Sequence, residues 1–299
     1  MTVKEYIDRG TGALLALYPK EESKALLKRV LEHFCQVPPY VYYTDPNRLL
    51  PFETLSGLKT ALDDLAKAKP IQYILGEVLF EGCTIKVGEG VLIPRPETAE
   101  LVRWAKSVLS GAPLSDIHIL DLCTGSGAIA IALAKAFPLA RVFGVDVSEK
   151  ALEIAKENSL INKVEPVLLR ADIFQEPDMP CLFDMVICNP PYVRVSEKAN
   201  MHPSVLDYEP HSALFVPDED PLLYYRALAN WCAALLEEGG LLMTEMNEYM
   251  YKEVETLLRE KGFSCIEIRK DLNGKPRMCA AVKSSSRLPG SRPAPYRYQ

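Results

Sequence analysis

The sequence has little of what builds metal and redox sites. Its 299 residues hold only four histidines, scattered along the chain. Its eight cysteines, at positions 35, 83, 123, 181, 188, 232, 265 and 279, include no C-x-x-C pair. A zinc ribbon and a redox dithiol are thereby excluded, and no metal site is expected. Most of the cysteines sit in apolar runs, as Cys188 does in MVICNPPY, and read as reduced core residues of a cytosolic protein. No apolar run approaches the roughly 20 residues that cross a bilayer. The polar start, MTVKEYIDRG, is not that of a secretory or transit peptide, so a cytoplasmic protein with no membrane partner is expected. Positive charge is also short: 34 basic against 40 acidic side chains give a net charge of −6. A chain that mainly grips nucleic acid usually has the opposite sign, so no direct nucleic-acid contact is expected.

What is present is an ordinary globular composition, 48% hydrophobic and 25% charged. Such a chain can bury a sizeable core, and its length suits one large domain or two. No internal repeat is visible. Residues 1–69 read as helical, with apolar residues at helical spacing in Tyr6, Ile7, Leu14, Leu15 and Leu17 and again from Ala25 to Phe34. Pro38-Pro39 ends the second run. Residues 1–75 are therefore expected to form a small helical domain. Residues 76–95 then read as a β-hairpin linker, with strands at 77–80 and 84–87 around Glu81-Gly82. A helix is expected at 97–109.

From residue 117 the rhythm becomes strand, helix, strand. IHILDLC, RVFGVDV, PVLLRADI, FDMVICN and GLLMTEM are apolar runs separated by helical stretches at 128–137, 149–158 and 222–236. That alternation predicts an α/β, Rossmann-like, mostly parallel sheet covered on both faces, over residues 96–283. FSCIEIR and RMCAAVK, joined by DLNGKP, are expected to add an antiparallel hairpin at the edge. The tail 284–299 is rich in Ser, Pro and Arg and reads as disordered. With Lys283, it carries four basic residues and no acidic one, which leaves the body near −10.

Four strand ends carry the chemistry. The first is Asp121-Leu122-Cys123-Thr124-Gly125-Ser126-Gly127. Glycines let the backbone approach a ligand, and the free N–H groups of a helix start suit an anion. A plain tight turn is the alternative. The second is Asp146, 19 residues after Gly127. A carboxylate there can accept both hydroxyls of a ribose, of NAD or of S-adenosylmethionine (SAM) alike, or it can cap the next helix, for which Ser148 is the better candidate. The third is Asp172 with Ile173 and Phe174, which suits an adenine, amino group to the carboxylate and ring to an apolar face, or is a plain turn aspartate beside core residues. The fourth is Asn189-Pro190-Pro191-Tyr192. Two prolines stiffen this loop. The Asn189 oxygen and the Pro190 carbonyl are two acceptors, and Tyr192 is a flat face. Together they can hold a planar –NH2 group by both hydrogens. Hydride transfer to NAD has no use for such a device.

With this tetrapeptide the glycine turn resembles amino-group methyltransferases that use SAM. NPPY is shared by adenine-N6 DNA enzymes, guanine-N2 RNA enzymes and the glutamine-N5 enzymes of release factors. The order PIQYILGEVLFEG, LIPRPETAELV, LDLCTGSGAIAIALA, CNPPYV, VLDYEPHSALF, DLNGKPRM is similar to that of the release factor glutamine methyltransferase (PrmC/HemK) family, over about residues 1–283. The resemblance implies transfer of a methyl group from SAM to the glutamine of the Gly-Gly-Gln motif in class 1 peptide chain release factors, by a monomer. It implies cofactor contacts from Asp121, Cys123, Thr124, Gly125, Ser126, Gly127, Asp146, Asp172, Ile173 and Asn189. Catalysis falls to Asn189, Pro190 and Tyr192, with the substrate held by these, Pro191 and Arg95. Arg95 is either a substrate contact or a local ion-pair former. Tyr208, Glu209 and Pro210 are assigned to a lid. The chain departs from the family's usual pattern at Cys123, where Gly is usual, at Ile173, where an aromatic is usual, and at Glu245-Met246-Asn247. The other readings are a nucleic-acid amino-methyltransferase, a SAM-binding protein without catalysis, and an NAD oxidoreductase.

Overall fold

The computed structural model describes residues 1–110 and 117–284. The expected disordered tail lies outside the described residues except for Ser284. The chain divides into two compact units, residues 1–77 with 201–208, and residues 78–200 with 209–299.

The first unit is helical. It contains α1 (Val3–Leu14), α2 (Lys20–Cys35), α3 (Val41–Thr44), α4 (Leu55–Leu65) and α5 (Ile71–Leu75). Helix α1 starts on a capping box: Thr2 Oγ1 accepts from Glu5 N–H while the Glu5 carboxylate accepts from Thr2 N–H. The apolar faces of these helices close one core around Ile7, Leu14, Leu27, Leu31, Leu58 and Leu65, all essentially inaccessible to water. Pro38 and Pro39 stop α2 from continuing, as expected, and α2 ends with Gln36 in the left-handed region. Residues 201–208, which the sequence leaves in the larger domain, group with the helices. Tyr208 donates its hydroxyl to the Lys67 carbonyl at 2.9 Å.

In the second unit β1 (Glu77–Phe80) and β2 (Cys83–Lys86) form a two-stranded sheet, turning at Glu81-Gly82, both at positive φ. Then come α6 (Pro96–Leu109), β3 (His118–Leu122), α7 (Ala128–Ala136), β4 (Arg141–Asp146), α8 (Glu149–Asn162), β5 (Val167–Arg170) and β6 (Phe183–Cys188). The chain continues through β7 (Val193–Arg194), α9 (Pro203–Leu206), β8 (Phe215–Val216), α10 (Leu223–Leu235), β9 (Leu236–Glu245), α11 (Tyr251–Glu260), β10 (Phe263–Lys270) and β11 (Pro276–Lys283). Of these, α9 belongs to the helical unit.

Seven strands make one sheet in the order β10-β11-β9-β6-β3-β4-β5. The five from β9 to β5 are parallel, and β11 and β10 run antiparallel at one edge, as the sequence predicts. The central strands are apolar on both faces because helices cover both: Met185, Val186, Ile187 and Cys188 of β6 are all fully buried. Two differences from expectation concern the cysteines and β9. Only Cys83, Cys188, Cys232 and Cys279 are buried, and Cys265 is exposed on edge strand β10. Strand β9 begins at Leu236, directly after α10, rather than at the glycines.

The strand order sets the site. From β3 the chain goes outward to β4 and β5, then returns to place β6 on the other side of β3. The reversal opens a crevice at the carboxyl ends of β3 and β6. Leu122 pairs with Cys188 there, so Cys123 and Asn189 leave the sheet side by side.

Candidate active site

A cleft open to solvent lies over this crevice. Its walls include Cys123 and Gly125 from the end of β3, Asp146 from β4, Asp172, Ile173 and Phe174 beyond β5, and Asn189 and Pro191 beyond β6. Four strand ends far apart in sequence therefore meet at one cleft.

The turn after β3 is built for close approach. Gly125 has a φ of +54°, and a Cβ there would meet nothing within 4 Å. Gly127 has a φ of +78° for a different reason: a Cβ would come 3.0 Å from the Ala155 Cβ, so its bareness lets α7 pack on α8. Between them the Gly125 N–H donates to Asp146 Oδ2 at 2.8 Å, and the Ser148 N–H donates to Asp146 Oδ1 at 2.9 Å. The Asp146 carboxylate is thus clamped by two backbone amides. An ionised carboxylate has about four acceptor positions, so two remain for a ligand. Ser148, not Asp146, caps α8, with its Oγ accepting from Ala151 N–H.

Asp172 uses Oδ1 to accept from the Phe174 N–H at 2.9 Å, which closes a tight turn. Ile173 is buried, while Phe174 is 46% exposed and tilts against Tyr224 of α10 at 4.9 Å between ring centres. The apolar wall beside Asp172 is therefore shared by Ile173, Phe174 and Tyr224. A carboxylate clamped for a diol, an open glycine turn and an acidic turn beside aromatic and aliphatic walls fit a nucleoside cofactor carrying a charged chain.

At the end of β6 the Asn189 Nδ2 donates to the Thr98 Oγ of α6 at 3.0 Å. That bond turns Oδ1 to the opposite side. The Tyr192 hydroxyl donates to Glu245 Oε2 at 3.3 Å, and the Tyr192 carbonyl accepts from Asn247 Nδ2 at 3.1 Å. Glu245 ends β9 and is fully buried. Burial pushes its carboxyl up to about 7, against the steadying effect of the Thr98 and Tyr192 hydroxyls and Arg277.

Comparison with known proteins places this arrangement. Residues 107–206 match the family model "Methyltransferase small domain", and residues 5–76 match "PrmC N-terminal domain". The chain is 42% identical over 279 residues to the release factor glutamine methyltransferase of Flavobacterium psychrophilum, covering 93% of this chain and 98% of that one. It is 38% identical to the protein of the same name in Bacteroides thetaiotaomicron, over 90% of this chain and 96% of that one. The chain belongs to the release factor glutamine methyltransferase family. Among solved structures, the hMettl16 catalytic domain in complex with an RNA hairpin shares the fold, at a TM-score of 0.56 and 17% identity, over 73% of this chain and 83% of that one.

In this methyltransferase not every residue drawn from the resemblance faces the cleft. Asp121 is fully buried: it accepts from the Thr124 hydroxyl at 2.5 Å and from the Ala130 N–H at 3.1 Å, and burial pushes its carboxyl up to about 7. Thr124, Ser126 and Gly127 are likewise buried and shape the turn, with the Ser126 carbonyl accepting from Asn158 Nδ2. The turn they form presents Cys123 and Gly125 at the cavity. Asn189 and Pro191 of the tetrapeptide border this cavity, whereas Pro190 and Tyr192 are not among its lining residues. Arg95 is an ion-pair former: its guanidinium meets the Glu209 carboxylate at 2.6 Å, and Glu209 also accepts from the Ile93 N–H at 2.9 Å. Glu209 is buried, and Pro210, Ser212 and Ala213, which follow it, line the cleft. Thr98, Glu245, Glu209 and Tyr224 were not singled out for these roles from sequence. Thr98 alone had a cue, its place in LIPRPET.

Among the described residues no group of acidic, histidine or cysteine side chains could hold a metal ion, and no helix is long and apolar enough to cross a membrane.

Proposed function

We propose that this methyltransferase moves the methyl group of SAM to the side-chain nitrogen of the glutamine in the Gly-Gly-Gln motif of class 1 peptide chain release factors, in the cytoplasm and as a monomer. The observation that carries this reading is Asn189, held through its Nδ2 by Thr98 so that its oxygen is offered beside a cleft shaped for a nucleoside. When bound, SAM supplies the methyl as an electrophilic carbon on a sulfonium. Asp146 takes the ribose hydroxyls on its two remaining acceptor positions. Asp172, with Ile173, Phe174 and Tyr224, takes the adenine. Cys123 and Gly125 border the chain that carries the sulfonium.

A carboxamide nitrogen is a poor nucleophile because its lone pair is spread into its carbonyl. Asn189 Oδ1 and the Pro190 carbonyl accept one amide hydrogen each, which fixes the nitrogen and stabilises positive charge as it develops there. Tyr192 flanks the amide plane. Orientation of this kind can contribute roughly 7–11 kcal/mol at best. No general base is required, since the methylated cationic amide is acidic enough to lose its proton to water. The helical residues 1–75 dock the release factor, residues 76–95 link, and residues 96–283 carry the chemistry.

The test supplies labelled SAM with a release factor, with its Gln→Ala variant in the Gly-Gly-Gln motif, and with plasmid DNA and ribosomal RNA. Label in the release factor and none in the Gln→Ala variant is expected. Label in nucleic acid alone would overturn the reading, and no label in any of them would make this a SAM-binding protein without transfer.

A further inference from the structure

We propose that Asn158 is a positioning residue for the cofactor cleft, and that through it the hairpin strand β2 takes part in cofactor binding. The inference rests on the placement of SAM in the cleft proposed above, and deepens it by naming what holds two of the cleft's walls.

Strand β2 pairs with β1 alone, so one of its edges leaves backbone donors and acceptors in want of partners. Helix α8 supplies them from two side chains. Asn162 Oδ1 accepts from the Thr84 N–H at 3.1 Å, and its Nδ2 donates to the Thr84 carbonyl at 2.7 Å. One helical turn earlier, Asn158 Oδ1 accepts from the Lys86 N–H at 2.7 Å, and its Nδ2 donates to the Lys86 carbonyl at 3.0 Å. A side-chain amide carries the same acceptor and donor as a peptide group. Four residues of helix rise about 6 Å and two residues of strand about 6.7 Å, so the two registers match. The pair of asparagines thus imitates a neighbouring strand.

The two asparagines differ in where the second amide hydrogen goes. Asn162 gives it to its own helix, at the Asn158 carbonyl, 2.8 Å away. Asn158 gives it to the Ser126 carbonyl at 2.9 Å, in the turn between β3 and α7. Asn158 is fully buried, and its oxygen and both of its amide hydrogens are engaged with backbone. The Ser126 bond falls at a sensitive point. Gly127 has a φ of +78°, and a glycine accommodates either sign of φ, so local sterics oppose a reversal of the Ser126–Gly127 peptide only weakly. Two bonds fix that plane: the Ser126 carbonyl on Asn158, and the Gly127 N–H on the Thr124 carbonyl at 2.9 Å.

Both ends of the Asn158 amide lead to the cleft. Gly125, whose N–H clamps Asp146, directly precedes Ser126. Lys86 leads to Gly90, Val91 and Leu92, which border the cleft as Gly125 does. One buried side chain therefore ties together two wall segments that are far apart in sequence. Asn158 is not among the residues that line the cleft, so it acts through Ser126 and Lys86. Asn162 holds the same strand but has no bond to the turn, which makes it the matched control.

The experiment uses the full chain. Asn158→Ala and Asn162→Ala should both lower the midpoint in urea, since each frees part of β2. By calorimetry, Asn158→Ala should weaken SAM binding about tenfold, whereas Asn162→Ala should leave it within about twofold. Without SAM, glycine-selective 15N NMR follows the Gly125 amide, identified by its loss in Gly125→Ala. Its exchange with solvent should be slow in the wild type and in Asn162→Ala, and faster in Asn158→Ala. Where Asn158→Ala does not fold, Asn158→Ser against Asn162→Ser makes the same comparison with a hydroxyl left in place. SAM affinity within about twofold of wild type in the Asn158 variant, an equal loss in the Asn162 variant, or a Gly125 amide as protected as in the wild type would each overturn the proposal. A wild type that binds SAM with an affinity untouched by Asp146→Ala would instead overturn the placement of the cofactor.

Discussion

Asp146 and Asn189 sit on neighbouring parts of one cleft, yet their substitution should give opposite signatures. Asp146 is clamped by two backbone amides, and its remaining lone pairs face the cavity. Asp146→Ala removes an acceptor for a ribose diol and also leaves the Gly125 N–H without its partner. SAM binding should weaken by at least tenfold, read by calorimetry. In the reaction proposed above, Asn189 meets the methyl-accepting group. Asn189→Ala should keep SAM affinity within about threefold while turnover drops on the order of a hundredfold, the usual scale for losing one preorganised polar group at a developing charge. Equal loss of SAM affinity in both variants would show that Asn189 serves the cofactor rather than the acceptor. Arg95 belongs to neither class. Its partner is Glu209, and through Glu209 it holds the segment whose residues Pro210, Ser212 and Ala213 border the cleft.

At the scale of elements, the turn between β3 and α7 shows how one short loop divides its tasks. Gly127 and Gly125 both have positive φ, but only Gly127 is crowded. Gly127→Ala drives a Cβ onto Ala155 and Ile131 and should destabilise the fold by about 1–3 kcal/mol, seen as a lower midpoint in urea. Gly125→Ala meets no neighbour, so its cost is backbone strain of about 1 kcal/mol and a methyl group in the cavity. It should weaken SAM binding more than it weakens the fold. If Gly125→Ala proved the more destabilising of the two, the packing argument would fail. This loop, the strand rhythm and the antiparallel edge were legible in sequence because each is a contiguous pattern with a period or a turn residue. The partners of the site were not. Glu245 reaches Tyr192 because β9 pairs with β6, and Thr98 reaches Asn189 because α6 covers that edge; neither juxtaposition has a local sequence signal. Glu245-Met246-Asn247 registered only as a departure from the family's pattern. The short helix α5 was hidden for another reason: five residues between Pro70 and Gly76 are too few for a helical period to show beside a β-rich run.

For the whole molecule, two fully buried carboxyl groups near the centre of the sheet couple stability to pH in an unusual direction. Burial pushes Asp121 and Glu245 up to about 7, whereas in the unfolded chain both return to the ordinary carboxylate range near 4. Between those values the folded state keeps protons that the unfolded state releases. Stability changes with pH in proportion to the protons bound by the unfolded state minus those bound by the folded state, and here that difference is negative. The contribution of these two groups is therefore fully present at about pH 4, declines as pH rises, and is exhausted above about 7. Its size is on the order of a few kcal/mol. Carboxylates held below their usual range, such as Asp271 with its backbone amides and Arg277, act the opposite way, but only at acid pH near their own titration. Across pH 5 to 7 the buried pair should dominate. The melting temperature of the wild type, followed by circular dichroism, should fall from pH 5 to 7 and level off above 7. Asp121→Asn and Glu245→Gln should each flatten that slope, because an amide in the same place carries no proton to lose. A wild-type melting temperature that rises from pH 5 to 7 would mean that both groups are already ionised in the folded state, and that their burial is offset by solvation or by partners stronger than Thr124, Thr98 and Tyr192.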